Sequence, residues 1–214
     1  MSPSLRITEI FFSIQGEART IGWPTVFIRL TGCPLRCVWC DTAYAFNGGE
    51  RMDLDAVLEQ VSHFPTMRVC VTGGEPLAQP ACQDLLRALI DRGYEVSLET
   101  SGAFDVSGVP EEVVKVMDLK PPGSGEAARN RLENMASLLG HDQVKMVLRD
   151  EADYLWAKKM VEEHRLSDRC EVVFSPVAES LSPRVLAEWI LADGLNVRFQ
   201  VQLHKVLWGD QKGV

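Results

Sequence analysis

Three cysteines stand within eight residues, in the run Cys33-Pro-Leu-Arg-Cys37-Val-Trp-Cys40. Thiolates this close can converge on one metal centre, and the spacing is too tight for a framework of disulfides. Four cysteines would close a structural zinc site or complete an iron–sulfur cubane. Three leave one iron of a [4Fe–4S] cluster without a protein ligand, and a small molecule can chelate that iron through an amine and a carboxylate. The competing reading is zinc with a distant fourth ligand. His63, His141, His164 and His204 are the candidates, and none has zinc-knuckle spacing to the three cysteines.

A second polar run, Thr72-Gly73-Gly74-Glu75-Pro76, supplies two glycines that let the backbone approach a ligand and a carboxylate that can accept from an ammonium group. Alone it reads as a turn. Arg29 carries a planar fork suited to a carboxylate, its alternative being a surface salt bridge. Lys145 sits in an apolar run whose pattern leaves its face open. Cys70, Cys82 and Cys170 fall in strand and helix patterns and read as small buried hydrophobes. His63 and His164 fall where helices end, a position that stabilises a cation, and read as structural.

The elements that must hold these residues are strands alternating with helices. Strands are expected over 25–30, 68–72, 95–99, 113–119, 143–148, 171–175 and 197–203. Apolar stripes at helical spacing lie between them: Leu54, Val57, Leu58 and Val61; Leu85, Leu86, Leu89 and Ile90; Val185, Leu186, Trp189 and Ile190. Such alternation implies parallel pairing through right-handed crossovers. Six or seven units are too few for an eight-unit barrel, so the expected α/β fold is an incomplete, splayed parallel (β/α) barrel, formed by 1–214 as one domain. Ligands of parallel sheets gather at the carboxyl ends of the strands. The polar motifs all follow expected strands: the cysteine loop, Gly73-Gly74-Glu75, Thr100-Ser101-Gly102, Lys120 and Ser175-Pro176. The stretch 121–126, rich in proline and glycine, reads as the most flexible loop.

Cys-x3-Cys-x2-Cys with an aromatic before the last cysteine, followed by Gly-Gly-Glu, resembles the signature of the radical S-adenosylmethionine enzymes. Further motifs resemble one branch of them, the 7-carboxy-7-deazaguanine synthases: Phe12-Ser13-Ile14-Gln15-Gly16-Glu17, Val26-Phe27-Ile28-Arg29-Leu30, Cys40-Asp41-Thr42, Glu99-Thr100-Ser101-Gly102 and Gln202-Leu203-His204-Lys205. The resemblance spans almost the whole chain. It implies a carbon–nitrogen lyase that contracts 6-carboxy-5,6,7,8-tetrahydropterin to 7-carboxy-7-deazaguanine with loss of ammonia, on the route to queuosine and other deazapurines. A deoxyadenosyl radical would start the reaction by taking hydrogen from C6, and S-adenosylmethionine would be regenerated. The implied cofactors are a [4Fe–4S] cluster on Cys33, Cys37 and Cys40, S-adenosyl-L-methionine, and Mg2+ on Thr42, which otherwise reads as a cap after Asp41. Cofactor contacts would fall to Trp39, Cys40, Asp41, Gly74, Glu75, Ser101, Asp118, Leu119, Lys120, Ser175, Pro176, Val177 and Ala178. Substrate contacts would fall to Ile14, Gln15, Gly16, Arg29 and Thr72. Glu17 could read a pterin edge or belong to a polar turn around Gly16, and His204 could lie near the substrate.

The chain has 214 residues, a net charge of −8 and no long apolar run. The charge argues against a broad phosphate-binding surface, so no nucleic-acid or membrane partner is expected. The N-terminal residues lack the pattern of a secretory signal, which makes the cytoplasm the expected location. An electron donor such as flavodoxin or ferredoxin and a homodimeric state complete the expectation. Two alternatives stand beside it: an activase for glycyl-radical enzymes, and a non-enzymatic zinc or iron–sulfur module. The tail after His204-Lys205 is expected to fold over the barrel mouth through Leu207 and Trp208, turning at Gly209 and Gly213.

Overall fold

The computed structural model describes residues 3–214. Strands β1 (Ser4–Ile14) and β2 (Pro24–Leu30) form an antiparallel pair, and β3 (Glu50–Asp53) lies antiparallel on the outside of β1. There follow α1 (Leu54–Ser62), β4 (Arg68–Gly73), α2 (Cys82–Asp91), β5 (Glu95–Thr100), β6 (Val114–Asp118) and β7 (Gln143–Leu148). The chain closes with α3 (Glu151–His164), β8 (Glu171–Pro176), α4 (Pro183–Asp193), β9 (Arg198–Phe199) and α5 (Leu203–Trp208). The nine strands among the described residues share one open sheet, ordered β3-β1-β2-β4-β5-β6-β7-β8-β9, and the run from β2 to β9 is parallel throughout. The incomplete barrel is therefore present, with an antiparallel extension at one edge. No helix among the described residues is long and apolar enough to cross a membrane.

Side-chain alternation divides the sheet into two faces. Val26, Ile28, Leu30, Val69, Val71, Val96 and Leu98 point outward into a core shared with α1 and α2. Met117, Val144, Met146, Leu148, Val172 and Phe174 do the same beneath α3 and α4. The opposite parity carries Arg29, Thr72, Glu99, Asp118 and Lys145, which face a cavity.

Three expectations need correction. First, β1 and β3 are additional strands. The register shifts between Ile7 and Glu9, so a bulge breaks the alternation that would have marked β1, while β3 is short and charged. Second, the strand expected over 197–203 is confined to Arg198–Phe199. The next residue, Gln200, turns its amide onto Ala18, accepting from the backbone N–H at 2.7 Å and donating to the carbonyl at 2.9 Å. Residues 203 onward then coil into α5. Third, 121–126 holds a tight turn at Pro122–Ser124. Ser124 is fully buried, and the Gly123 N–H donates to Asp153 Oδ1 at 2.8 Å.

One buried charge belongs to the fold rather than the cavity. Lys115, on the outer face of β6, meets Asp142 at 2.9 Å, and both side chains are buried. Asp142 also accepts from the backbone N–H groups of Lys115 and Leu139. Removing one partner of such a pair strands the other charge, at a cost of about 3–5 kcal/mol. Asp142→Ala is therefore expected to lower the urea midpoint by that equivalent with little change in slope, read from equilibrium unfolding.

Candidate active site

The cavity opens at the carboxyl ends of the parallel strands and measures about 820 Å³. Cys33, Cys37 and Cys40 are free, half-buried thiols in its wall. Their loop is tied down on two sides. On one, the N–H groups of Gly74 and Glu75 donate to the carbonyls of Leu30 and Gly32 at 3.1 and 2.8 Å, joining the loop to the Gly-Gly-Glu turn. On the other, Val38 N–H donates to the Ser124 carbonyl at 3.0 Å, and Arg36 N–H to Glu126 Oε1 at 2.6 Å. A Cβ at Gly74 would stand 2.8 Å from that of Cys33 and would overlap the Gly32 carbonyl. This glycine is the condition for the two loops to lie together.

Burial pushes all three thiols up, Cys37 to about 11, while Lys120 draws the thiol pKa down at each of them. The free thiols are thus neutral near pH 7, and a bound group must displace their protons. Among the described residues no three His, Cys, Asp or Glu side chains are grouped to hold a single ion. A structural zinc would need a fourth ligand beside the three sulfurs. In a cubane each cysteine takes its own iron, a role that three thiols of one loop in one cavity wall can share.

The cofactor set divides. Trp39, Cys40, Asp41, Gly74, Ser101, Asp118, Lys120, Val177 and Ala178 line the cavity. Trp39 has the Arg149 guanidinium 5.9 Å from its ring centroid. Glu75, Leu119, Ser175 and Pro176 do not line it. Leu119 packs in the outer core, and Ser175 is buried with an unpartnered hydroxyl. Glu75 is fully buried, and its carboxylate accepts from the Leu77 and Ser101 backbone N–H groups and from the Thr100 and Ser101 hydroxyls. In this arrangement it braces the Thr100-Ser101-Gly102 turn and is not open to an ammonium group.

The substrate set stays together: Ile14, Gln15, Gly16, Arg29 and Thr72 all line the cavity. Gln15 donates to Glu99 Oε1 at 3.5 Å and Thr72 to Glu99 Oε2 at 3.1 Å. Burial pushes the Glu99 carboxyl up, against the pull of Lys145. Thr42 caps no helix through its side chain; its hydroxyl donates to Asp41 Oδ1 at 2.7 Å. Of the histidines, only His204 reaches the wall, with Nε2 4.0 Å from Asp41 Oδ2. His204 lies on α5 rather than after a strand, and it packs where a Cβ on Gly16 would be.

Lys145 faces inward. Its ammonium contacts Glu17 Oε2 and stands 3.6 Å from Asp118 Oδ2, which pairs with Lys120 at 3.0 Å. Glu17 Oε1 accepts from Gln202 at 2.6 Å, so Glu17 belongs to this network and is not free to read a heterocycle. Burial alone would raise the Asp118 carboxyl, but Lys120 and Lys145 hold it below the ordinary range. Burial opposes the charge on Lys145, and the surrounding carboxylates more than restore it, keeping its pKa well above the ordinary value. Asp118 Oδ1 is buried and has no protein partner. Glu99, Tyr44 and Arg149 are wall residues that the sequence reading did not assign. Glu99 stood inside a quoted motif, whereas nothing in the local pattern marked Tyr44 or Arg149.

The tail reaches the mouth with different residues from those expected. Gly209, Asp210, Gln211, Lys212, Gly213 and Val214 line the cavity, whereas Leu207 is half exposed and Trp208 lies outside the lining. α5 is one short helix, so the turn at Gly209, not an apolar anchor, delivers the tail.

The chain is similar to known proteins over nearly its whole length. Residues 27–119 match the pattern that defines the Radical SAM superfamily. A 7-carboxy-7-deazaguanine synthase from Chlorobaculum tepidum is 45% identical, with 98% of this chain and 97% of that protein aligned. One from Koribacter versatilis is 40% identical over 98% of this chain and 100% of its own. The crystal structure of QueE from Escherichia coli superposes with a TM-score of 0.76 at 22% identity, covering 94% of this chain and 95% of that one.

Gly74→Ala should separate the two loops. The expected result is loss of most iron and sulfide after anaerobic reconstitution, with helix content by circular dichroism unchanged.

Proposed function

The chain belongs to the 7-carboxy-7-deazaguanine synthases of the radical S-adenosylmethionine superfamily, and from that premise we propose how its cavity divides the work. The reaction is the ring contraction of 6-carboxy-5,6,7,8-tetrahydropterin to 7-carboxy-7-deazaguanine with loss of ammonia. The observation that carries the assignment of roles is that one cavity is lined both by the three thiols and by Gln15, Arg29 and Thr72. Its volume of about 820 Å³ leaves room for a nucleoside-sized cofactor and a bicyclic substrate together.

Cys33, Cys37 and Cys40 would hold the [4Fe–4S] cluster and leave one iron open. Bound together, cluster and S-adenosylmethionine supply the radical that takes the substrate's hydrogen at C6. Trp39, Val177 and Ala178 offer apolar surface to an adenine. Ser101 and the free Oδ1 of Asp118 offer polar partners for ribose hydroxyls. Because Lys120 and Lys145 neutralise Asp118, its spare oxygen can accept without bringing an unpaired charge into the cavity.

On the other wall, the terminal nitrogens of Arg29 would take the substrate carboxylate. Gln15, Thr72 and Glu99 present alternating donors and acceptors to the edge of the ring system. The Thr42 hydroxyl is a hard but weak donor, suited to Mg2+ only when waters and substrate oxygens complete the octahedron. A one-electron donor of the flavodoxin or ferredoxin type, a cytoplasmic setting and a homodimer complete the proposal.

Incubating the reconstituted, reduced protein with the carboxy-tetrahydropterin should yield the deazaguanine, read by mass spectrometry. Replacing any one of Cys33, Cys37 or Cys40 with Ala should abolish the 5′-deoxyadenosine formed on reduction. Retention of full cleavage by any of the three would overturn the cluster assignment. Thr42→Ala should flatten the response of turnover to Mg2+ while iron content stays unchanged. An unaltered Mg2+ dependence would remove Thr42 from the site.

A further inference from the structure

Arg29 does not stand alone at its end of the cavity. Its Nε donates to Glu9 Oε1 at 2.7 Å, and the same oxygen accepts from the Tyr44 hydroxyl at 2.7 Å. The guanidinium carbon lies 5.6 Å from the ring centroid of Phe11 and 5.8 Å from that of Tyr44. Arg29, Phe11 and Tyr44 line the cavity, but Glu9 does not. The carboxylate therefore holds the guanidinium from behind, through the nitrogen nearest the stem.

The β1–β2 register explains how Glu9 comes to be there. The bulge between Ile7 and Glu9 makes Glu9 the direct cross-strand partner of Arg29. Phe11 and Phe27, the next pair on the same face, stack at 4.9 Å with their planes 10° apart. Bulges re-aim side chains, and this one aims an acid at the one cavity arginine on β2.

We propose that Glu9 is a positioning residue that fixes the Arg29 fork, with Tyr44 locking Glu9, so that the enzyme selects substrates by their carboxylate. This inference rests on the functional reading above. With Nε occupied, only the terminal nitrogens face the cavity, and a planar carboxylate can meet both at once. The aromatic rings confine the guanidinium plane, so little rotamer freedom remains to be lost on binding. A second anion so close to Arg29 also weakens the net attraction for a ligand. The arrangement therefore makes geometry, rather than raw charge, the basis of selection.

The test compares two ligands that differ only in the carboxylate, 7-carboxy-7-deazaguanine and 7-deazaguanine. Calorimetry on the anaerobically reconstituted protein reads their affinities without turnover. The wild-type protein should prefer the carboxylated ligand by at least about tenfold, the scale of one charge-assisted bond. Glu9→Ala should remove most of that preference while binding of 7-deazaguanine changes by less than about twofold. Tyr44→Phe deletes only the locking hydroxyl, is the milder probe should Glu9→Ala fold poorly, and should lower the preference in the same direction by a smaller factor. A Glu9→Ala protein that binds the carboxylated ligand as well as wild type, or better, would show that Glu9 merely competes for Arg29 and would overturn the inference. So would a Tyr44→Phe protein with unchanged preference. A wild-type protein that binds neither ligand would instead count against the functional reading.

Discussion

Charges placed in a cavity of low dielectric have to be compensated, and the inner face of this sheet is organised around that need. Parity sends one side chain in two toward the cavity, and on β2, β5, β6 and β7 those positions include Arg29, Glu99, Asp118 and Lys145. None of these could be held there singly. Lys145 is the joint: it contacts Glu17 and stands close to Asp118, which holds Lys120. Glu17 in turn takes Gln202, which begins α5. A chain of alternating charge thus runs from Glu17 in the loop after β1, across β7 and β6, to Lys120, which draws the cysteine thiol pKa values down. It crosses the cavity without leaving an unpaired ion. What it leaves over is one lone acceptor, Asp118 Oδ1.

Close backbone approach supplies the second half of the design. Gly74 lets the Gly-Gly-Glu turn lie against the cysteine loop, and Gly16 lets α5 lie against the loop between β1 and β2. The Leu203 N–H donates to the Gly16 carbonyl at 2.9 Å, sealing the second contact. Sequence motifs far apart in the chain therefore meet because one of each pair contributes a glycine at the point of contact. In physical terms the glycines in these motifs set distances between loops, and the charged residues beside them inherit their positions.

That division also decides what could be read from the sequence. The parallel strands β2 and β4 to β8 and the helices over Leu54–Ser62, Cys82–Asp91 and Pro183–Asp193 were legible because their outward faces are apolar at regular spacing. Cys33, Cys37, Cys40, Gly74, Arg29 and Gln15 were legible because their types and spacing carry chemistry. β1 was not, since its bulge shifts the alternation, and the end of β9 was not, since Gln200 leaves the ladder to clamp a residue far away in sequence. The facing of Lys145 required the three-dimensional pairing with Glu17. Tyr44 gains its place only through Glu9 and Arg29, and no local pattern could announce a contact of that kind.

Glu75 shows how a motif residue can owe its place to something other than ligand contact. A carboxylate with no exposure must have its oxygens satisfied by the protein, and here four donors do so. Two of them, the Ser101 hydroxyl and N–H, belong to the residue at the tip of β5 that faces the cavity. A third, Thr100, closes the strand itself. Glu75 thereby fixes the turn after β5 relative to the turn after β4, and through the Gly32 carbonyl, which accepts from its own N–H, relative to the cysteine loop. Three adjacent strand ends converge on a single acid. An amide in its place would present a donor where Ser101 and Thr100 already donate, so charge as well as shape is needed at that point. The acid of the Gly-Gly-Glu run acts on the cavity through the turns it aligns, and those contacts set how the cysteine loop stands relative to Ser101.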